Sequence, residues 1–407
     1  MENRTCLVAR RKGLIMIVVI NTIEIVVQLY IVFIVIYNLI FLVASRNYKK
    51  KLKINNNPPE GIKFAVLIPA YKEDVVILNT VKKNLLVDFP KDSFDLIVIA
   101  DQLKSSTLKE LEKTDVITHV VSFEKSTKAK AISSALNNYP NYSHVVILDA
   151  DNVMSKDFLR YLALSFKNGS VAIQGRRKAK NVNTSYSVLD GISEEISNTI
   201  FRQGAEGLGV SSPVAGSGMA FSYDLIYQKL KCSDAIGGFD KEFQIEILKD
   251  SLHINYLKEA YVYDEKTEDI KVFEKQRTRW ISSHFMFLKR YFSIGIKSLF
   301  KGNFDLFHMA VLIQAQLPRM FNLGLFVLLI VMSTFLSDLF LIPSIFWITT
   351  LLIYLATLFL AVPKVYFNKN LIYAVIRIPR LLFTMLGILF KLKESKKTFI
   401  HTPHKNL

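Results

Sequence analysis

The sequence feature that most constrains the fold is an apolar run that ends directly in two carboxylates. Val145 to Leu148 is aliphatic throughout, and Asp149 and Asp151 follow it with one alanine between them. Short aliphatic runs of this kind alternate with helix-like stretches over residues 64–148, which indicates a parallel sheet covered by helices on both faces. In such sheets ligands bind beyond the carboxyl ends of the strands. We therefore expect the two aspartates at the ligand-binding edge.

The same alternation predicts the elements around the carboxylate pair. Strands are predicted at 64–68, 95–100, 118–121 and 144–148, and helices at 75–86, 106–113 and 128–137. The strand runs are rich in Val, Ile or Leu, whereas the stretches between them mix polar and apolar residues as helices do. The fold class that this pattern indicates is α/β.

Asp149 and Asp151 have the chemistry of a metal site. Hard divalent cations such as Mg²⁺ and Mn²⁺ prefer oxygen ligands and commonly take one or two carboxylates together with substrate phosphates. The pair therefore predicts a Mg²⁺ or Mn²⁺ site with Asp149 and Asp151 as its protein ligands. Taken alone, the pair is equally compatible with carboxylates that cap the next helix.

A second constraint is a long apolar segment near the start of the chain. Residues 14–43 form an almost continuous apolar run, interrupted by Asn21, Glu24 and Gln28. The run exceeds the ~20 residues that a helix needs to cross a bilayer, and it lacks the short core and cleavage site of a signal peptide. We expect one tilted transmembrane helix, with a buried helix of a soluble protein as the alternative.

Apolar character returns after about residue 280. The predicted organisation is a transmembrane helix at 1–45, a basic linker at 46–62, an α/β domain at 63–281, interfacial helices at 282–318, two transmembrane helices at 319–363, and an interfacial helix with a polar tail at 364–407. The two C-terminal spans are expected at 320–340 and 342–362, with Pro343 at the turn between them. Residues 371–391 alternate apolar with basic residues, as surface helices do; a third C-terminal span is the alternative.

The chain is strongly basic. It contains 52 Lys and Arg against 35 Asp and Glu, a net charge of +17. A basic cluster follows the first apolar run and consists of Arg46, Lys49, Lys50, Lys51 and Lys53. Such clusters favour the cytoplasmic face and its anionic lipids, and no nucleic-acid-binding signature is present. We expect membrane lipids, and not nucleic acid, as partners.

Cysteine and histidine give no sign of a further cofactor. The two cysteines, Cys6 and Cys232, lie far apart in unlike contexts, so neither a disulfide nor a cysteine-ligated metal is expected. The seven histidines show no metal-ligand spacing such as His-Glu-x-x-His.

Five further motifs accompany the carboxylate pair in a fixed order. They are a strand ending in Pro69-Ala70-Tyr71-Lys72-Glu73, a strand ending in Asp101, a helix opening with Lys128-Ala129-Lys130, the turn Gly216-Ser217-Gly218 with the following Asp240-Lys241-Glu242-Phe243, and Gln276-Arg277-Thr278-Arg279-Trp280. The last of these stands directly before the apolar C-terminal third of the chain.

This ordered set resembles the family 2 glycosyltransferases of the GT-A fold, especially the membrane-bound branch with the cellulose and hyaluronan synthases. The resemblance covers roughly residues 60–285, and the Gln-x-x-Arg-Trp motif that ends at Trp280 is specific for that branch. It implies a GT-A domain, which is a Rossmann-like nucleotide-diphospho-sugar transferase domain, inserted between transmembrane helices.

The resemblance implies a set of donor-binding residues. Those expected to line the nucleobase pocket are Ala70, Tyr71, Glu73 and Asp101. Lys130 is expected to approach the nucleotide, and Asp149 with Asp151 to hold the metal and the diphosphate. Glu73 could instead stabilise the start of a helix by its charge, and Lys128 and Lys130 could be solvated residues on a helix face.

The resemblance also implies acceptor-site and catalytic residues. The turn formed by Gly216, Ser217 and Gly218 is expected to shape the acceptor site, although a simple tight turn is the alternative. The general base, a carboxylate that takes a proton from the acceptor hydroxyl, is expected to be Glu242, with Asp240 as the second candidate.

The same comparison gives roles to the last motif. Arg279 is expected to neutralise the departing diphosphate and Trp280 to contact the acceptor sugar, while Gln276 orients one of them. The alternative for this motif is an amphipathic entry into the membrane with Trp280 at the lipid interface.

The function expected from these features is inverting transfer of a sugar from a nucleoside-diphosphate sugar to a membrane-proximal or lipid-linked acceptor in surface glycan synthesis. UDP is typical of the family, and GDP stays open. A processive polysaccharide synthase, alone or in an oligomer, is one alternative, and an inactive nucleotide-sugar-binding scaffold is another. We expect a multi-pass protein of the bacterial inner membrane with a cytoplasmic catalytic domain.

Overall fold

The computed structural model describes residues 2–48, 52, 59–230, 238–367 and 369–391. Most of the predicted basic linker, Cys232 and the polar tail lie outside the described residues. Eight strands are present in the described part: β1 Phe64–Tyr71, β2 Phe94–Asp101, β3 Ile117–Val121, β4 His144–Ile147, β5 Val153–Met154, β6 Ala172–Ala179, β7 Met219–Ser222 and β8 Ile254–Asp264.

The described α-helices fall into two groups. Those that precede β8 are α1 Glu2–Ser45, α2 Ile77–Asn84, α3 Ser105–Leu111, α4 Lys128–Asn138, α5 Phe158–Lys167, α6 Ser185–Ile196, α7 Gly204–Leu208, α8 Tyr223–Leu230 and α9 Phe239–Lys249. Those that follow it are α10 Ile270–Phe300, α11 Phe304–Phe307, α12 Arg319–Phe335, α13 Ser344–Leu360, α14 Lys369–Ile376 and α15 Ile378–Lys391. Short π-helical segments at Ser197–Gln203 and His308–Leu312 join α6 to α7 and extend α11.

The strands form one sheet in the order β3-β2-β1-β4-β7-β6-β8-β5. The first four are parallel, and the register places Phe64 beside Phe94 and His144. These are the four strands predicted from the sequence, and their alternation with α2, α3 and α4 confirms the α/β prediction. Their side chains alternate between two buried layers, because both faces of the sheet are covered by helices.

The other half of the sheet is mixed, which the expectation of a parallel sheet did not include. Strand β7 is antiparallel to both β4 and β6, β8 is parallel to β6, and β5 is antiparallel to β8. Strands β6 and β8 lack continuous aliphatic runs, because charged residues such as Arg176, Arg177 and Glu259 occupy them. Antiparallel pairing of β7 brings the loop before it to the same edge as the carboxyl end of β4.

Helix α1 contains the one segment of the described residues that is long and apolar enough to cross a membrane, Ile15–Ser45. Helices α12 and α13 are also apolar, but each has 17 residues. The three pack together around a buried cluster that includes Ile31, Phe326, Trp347 and Tyr354. Large apolar side chains on their outer surfaces remain exposed.

Helices α12 and α13 occupy the two segments predicted as C-terminal spans, and both helices are shorter than those segments. The chain between them turns through a short 3₁₀ segment at Ser337–Leu339. Glu24 of α1 holds this turn, because its carboxylate accepts hydrogen bonds from the backbone N–H groups of Leu341 at 2.8 Å and Ile342 at 3.0 Å. The charge that interrupts the first apolar run thus satisfies two backbone donors ahead of α13.

Two predicted boundaries also differ from the observed helices. Helix α10 runs without a break from Ile270 to Phe300, so the boundary predicted at 281/282 lies inside one helix. The single helix predicted at 371–391 is divided into α14 and α15. Pro379 stands in the first turn of α15, where its missing N–H costs no helical hydrogen bond.

The α/β domain is fixed to α1 through two glycines of α7. A Cβ at Gly204 would lie 2.3 Å from the Phe41 carbonyl oxygen, and one at Gly207 would lie 2.0 Å from that of Ala44. Real Cβ atoms do not approach oxygen so closely, and only glycine permits this backbone contact. Gln203 adds a hydrogen bond of 2.6 Å from Nε2 to the Ser45 carbonyl.

Candidate active site

The turn after β4 is held by one buried serine. The Asp149 N–H donates to Ser217 Oγ at 2.9 Å, and this hydroxyl donates in turn to Asn152 Oδ1. Ser217 has no exposed surface. The Gly216–Gly218 turn is thereby attached to the Asp149–Asn152 turn, and Ser217 acts as a support for the carboxylate pair.

Asp149 and Asp151 have different surroundings. Asp151 is 3% exposed, and its two carboxylate oxygens accept hydrogen bonds from Asn152 Nδ2 at 3.0 Å and from the Glu265 N–H at 2.8 Å. The Asp149 side chain is 40% exposed. One carboxylate is therefore fixed in place, and the other faces the open edge of the sheet.

This donor set fits a hard divalent cation. A carboxylate offers about four lone-pair positions, so a carboxylate that accepts hydrogen bonds can also contact a cation. Among the described residues, no group of three or more His, Cys, Asp and Glu side chains is placed to hold a metal. A site with two carboxylates agrees with Mg²⁺ or Mn²⁺, for which substrate phosphates and water complete the ligand set.

Lys128 lies in this site, and Lys130 does not. The Lys128 ammonium contacts Asp149 Oδ1 and donates to the Gly216 carbonyl at 2.7 Å. Lys130 is exposed, and its ammonium donates to the Lys125 carbonyl at 3.2 Å. Residues two apart on a helix point about 200° away from each other, so only one of the two can face the carboxylates.

The glycines of the turn allow close packing against neighbouring elements. Gly218 has φ +63°, and a Cβ there would lie 2.5 Å from Val262 Cγ2. Gly216 has φ +79°, and the nearest atom to a Cβ there is Asp240 Oδ2 at 3.4 Å. The Asp240 carboxylate therefore lies beside the same turn that contacts Lys128.

Glu242 faces the other side of α9. It is 3% exposed, and its Oε1 accepts from Arg290 Nη1 at 2.6 Å and from the Tyr291 hydroxyl at 3.2 Å. Both donors belong to α10. Of the two candidates for the general base, Asp240 is the one at the site edge, and Glu242 is joined to α10.

The last motif is the first part of α10. Burial lowers the pKa of Arg279, while the charges of Asp149 and Asp240 act in the opposite direction, so Arg279 lies within electrostatic reach of both carboxylates. Trp280 is 38% exposed. The Gln276 Oε1 atom is buried without a hydrogen-bond partner among the described residues.

Arg277 forms an ion pair with α6 and contacts two aromatic rings of α10. Its guanidinium is paired with Asp190 of α6 and lies 4.5 Å from the Trp280 ring centroid and 4.8 Å from that of Phe273. These contacts fix the side of α10 that carries Trp280.

The expected nucleobase region lies at the carboxyl ends of β1 and β2. Asp101 is 3% exposed, and its Oδ1 has no hydrogen-bond partner in the described part of the chain. The Ala70 side chain is packed in the core and offers no surface to a ligand. Tyr71 and Glu73 are partly exposed next to it. A buried carboxylate oxygen normally has a donor, so Asp101 is suited to accept one from a ligand.

A buried group of charges beneath the site was not anticipated. Arg177 is paired with Asp264 and donates to the Ala215 carbonyl at 3.0 Å, and Lys266 donates to Asp264 at 2.9 Å. Burial would lower the pKa of Arg177, but Asp264, Glu194 and Asp149 raise it well above its usual value. The signal in the sequence is the triplet Arg176-Arg177-Lys178 inside a strand.

Comparisons with known proteins agree with this geometry. A family model described as "Glycosyltransferase like family 2" matches residues 58–283, more than half of the chain. The probable glycosyltransferase YdaM of Bacillus subtilis (strain 168) is 29% identical over 271 residues. The match spans 63% of this chain and 63% of YdaM, which is less than two thirds of that relative.

One solved structure aligns over nearly the whole chain. It is the mannosyltransferase PcManGT from Pyrobaculum calidifontis, in complex with GDP-Man and Mn²⁺, with a TM-score of 0.56 and 16% identity. The alignment covers 93% of this chain and 100% of that chain. At this identity the similarity is one of fold, and it extends to helices outside the α/β domain.

Proposed function

The chain belongs to glycosyltransferase family 2, and on that premise we propose that it transfers a sugar, with inversion, from a nucleoside-diphosphate sugar to an acceptor at the membrane surface. The observation that carries the proposal is the convergence of Asp149, Lys128, Gly216 and Asp240 at the carboxyl edge of β4. A diphosphate needs cations at this edge and an acceptor hydroxyl needs a base, and side chains of both kinds face it.

The donor binds across the ends of β1, β2 and β4. A nucleobase N–H can donate to the buried Asp101 carboxylate, with Tyr71 and Glu73 beside it. We favour UDP, which is typical of the family, with GDP as the alternative, since PcManGT was solved with GDP-Man.

Asp149 and Asp151 hold Mg²⁺ or Mn²⁺, which supplies positive charge to the leaving diphosphate when bound. Lys128 and Arg279 add cationic side chains to the same edge. Preorganised charges of this kind favour the transition state, in which negative charge grows on the leaving oxygen.

Asp240 is the proton acceptor in this proposal. Its carboxylate lies beside Gly216, and its charge acts on Arg279, so a hydroxyl bound between these groups is within reach of it. Proton removal in the transition state makes the hydroxyl a stronger nucleophile toward the anomeric carbon. Trp280, which is partly exposed at the start of α10, offers an aromatic surface to the acceptor.

We further propose that the protein is a multi-pass membrane protein with the α/β domain on the cytoplasmic side. Helices α12 and α13 pack on α1 and expose apolar side chains on their outer surfaces, such as Leu328 and Leu352. A helix of 17 residues is about 25 Å long, slightly less than the ~30 Å hydrocarbon core. Three spans favour a lipid-linked or membrane-proximal acceptor over a channel-forming processive synthase.

The test is nucleoside-diphosphate release by purified protein in detergent with Mn²⁺ and a panel of UDP- and GDP-sugars. We expect turnover with one donor class, and a loss of at least ~100-fold in kcat for Asp149→Ala and Asp151→Ala. Unchanged turnover in both variants would exclude the metal site. Nucleotide binding without any sugar transfer or donor hydrolysis would instead support a non-catalytic scaffold, and a growing polymer on one chain would support a processive synthase.

A further inference from the structure

We propose that Glu242 is a positioning residue: with Arg290 and Tyr291 it fixes α9 against α10, so that Asp240 lies at a set distance from Arg279. The inference rests on the proposed function, because it concerns the proton acceptor of that reaction. It assigns a role to the residue that the sequence comparison marks as the base.

The contacts of Glu242 are those of a structural ion pair. Its carboxylate is buried, whereas the Arg290 side chain is 56% exposed, so the pair closes the edge of the α9–α10 interface. The Tyr291 hydroxyl donates to the same oxygen from the next residue of α10. A buried carboxylate that loses such donors pays its desolvation without compensation, which makes the pair a strong restraint on α9.

The start of α9 packs against α10 on one side and against the core of the sheet on the other. Gly238, which precedes it, has φ +72° and provides no side-chain cap. A Cβ at Gly238 would lie 2.9 Å from Phe287, so this end of α9 rests directly on α10. From the sheet side, Phe243 is fixed by an edge-on contact with Phe221 at 4.8 Å between ring centroids. The contact with α10 is therefore one of the restraints that set the position of Asp240, beside the packing of α9 on the sheet.

Helix α10 sets the spacing. Arg279 and Arg290 are eleven residues apart, which corresponds to about 16 Å along the axis and about three full turns, so both lie on one face of α10. Arg279 is within electrostatic reach of Asp240, and Arg290 holds Glu242, two residues farther along α9. Helix α10 thus carries both Arg279, which in the proposed reaction contacts the leaving diphosphate, and Arg290, which holds the helix that bears Asp240.

The experiment compares substitutions that keep the contact with substitutions that remove it. Glu242→Gln keeps an acceptor for Arg290 and Tyr291, and Arg290→Lys keeps the charge, so we expect kcat within about 5-fold of wild type for both. Glu242→Leu and Arg290→Met remove the contact, and for these we expect kcat about 10- to 100-fold lower, an unchanged KM for the donor, and an unchanged acidic limb of the pH profile.

Asp240→Asn and Glu246→Gln are the reference variants. Asp240→Asn should lower kcat by at least ~100-fold, since a positioned base contributes about 10²- to 10⁴-fold. Glu246 lies on the same helix in a surface pair with Lys249 at 2.6 Å, so Glu246→Gln should leave kcat unchanged. Circular dichroism and melting temperature identify variants that do not fold; if Glu242→Leu fails, Arg290→Met tests the same contact.

The outcomes separate this inference from the proposed function. If Glu242→Gln loses as much kcat as Asp240→Asn, or loses the acidic limb of the pH profile, Glu242 is the base and the inference is overturned while the transferase stands. If Glu242→Leu and Arg290→Met both keep full kcat, the pair positions nothing and the inference fails. A folded wild type that transfers no sugar from any donor refutes the proposed function and the inference together.

Discussion

At the scale of single residues, the most informative position is Lys128. Its ammonium joins the exposed carboxylate of Asp149 to the Gly216 carbonyl, so it connects the carboxylate pair with the Gly216–Gly218 turn. Because Asp149 is a proposed metal ligand, Lys128 is placed to hold this carboxylate in position.

We predict that Lys128→Met lowers kcat for nucleoside-diphosphate release by about 10- to 100-fold. A charged hydrogen bond contributes roughly 1.5–3 kcal/mol, and each ~1.4 kcal/mol corresponds to a factor of ten. Lys130→Met, two residues away on the exposed side of the helix, should change kcat by less than about threefold. The measurement is kcat from steady-state kinetics at saturating donor. Equal losses of kcat in both variants would contradict the placement of Lys128, and not Lys130, in the site.

Some of the predicted site residues are positioned by the end of a strand, and others by the orientation of a helix. Asp149, Asp151 and Asp101 follow strands directly, and a strand end is a position that the order of residues determines. Whether Lys128 or Lys130 faces the site, and whether Asp240 or Glu242 does, depends on the rotation of each helix about its axis. Residues two positions apart point to nearly opposite faces of a helix. The face that turns toward the site depends on the elements that the helix packs against, and the local sequence does not specify these elements.

At the scale of elements, the contact between α7 and α1 has the tightest geometry. We predict that Gly204→Ala and Gly207→Ala each destabilise the protein by about 1–3 kcal/mol, because the added Cβ forces two backbones apart. Gly387→Ala is the matched control, since a Cβ at this helical glycine meets no atom within 4 Å. Thermal unfolding in detergent measures the effect; a melting temperature that falls no more for Gly204→Ala than for Gly387→Ala would refute it.

Two of the strands that were not predicted from the sequence share one property. Strands β6 and β8 carry charges in their interiors, which removes the aliphatic signal that identified β1, β2 and β4. These charges are tolerated because they are paired across the strands, as Arg177 is with Asp264 and Arg176 with Glu195 of α6. Pairing between distant segments leaves no periodic pattern in the sequence.

At the scale of the whole molecule, stability should depend on pH through a partly buried histidine at the start of β4. His144 begins β4 with its ring centroid 4.0 Å from that of Phe166, and burial lowers its pKa to about 4. Since the unfolded chain binds this proton near pH 6.5 and the folded chain only near pH 4, the unfolded state holds more protons between these values. The contribution of His144 to stability is therefore fully present above pH 6.5 and is lost as the pH falls toward 4.

We predict that the unfolding midpoint of the wild type falls over this interval and that His144→Phe falls less. The phenyl ring can keep the tilted ring contact with Phe166 and cannot take up a proton. Urea unfolding at intervals from pH 8 to pH 4.5 provides the comparison, and parallel curves for the two proteins would show that His144 does not carry the dependence.

Because β7 runs against β4, the chain reaches the diphosphate edge through the 209–218 loop and leaves it along a strand. Extra residues in that loop lengthen the acceptor side without shifting the register of β1, β2 and β4, which hold the donor side. Under the proposed function, a longer loop would thus reshape the acceptor side of the site while the strands of the donor side stay in place.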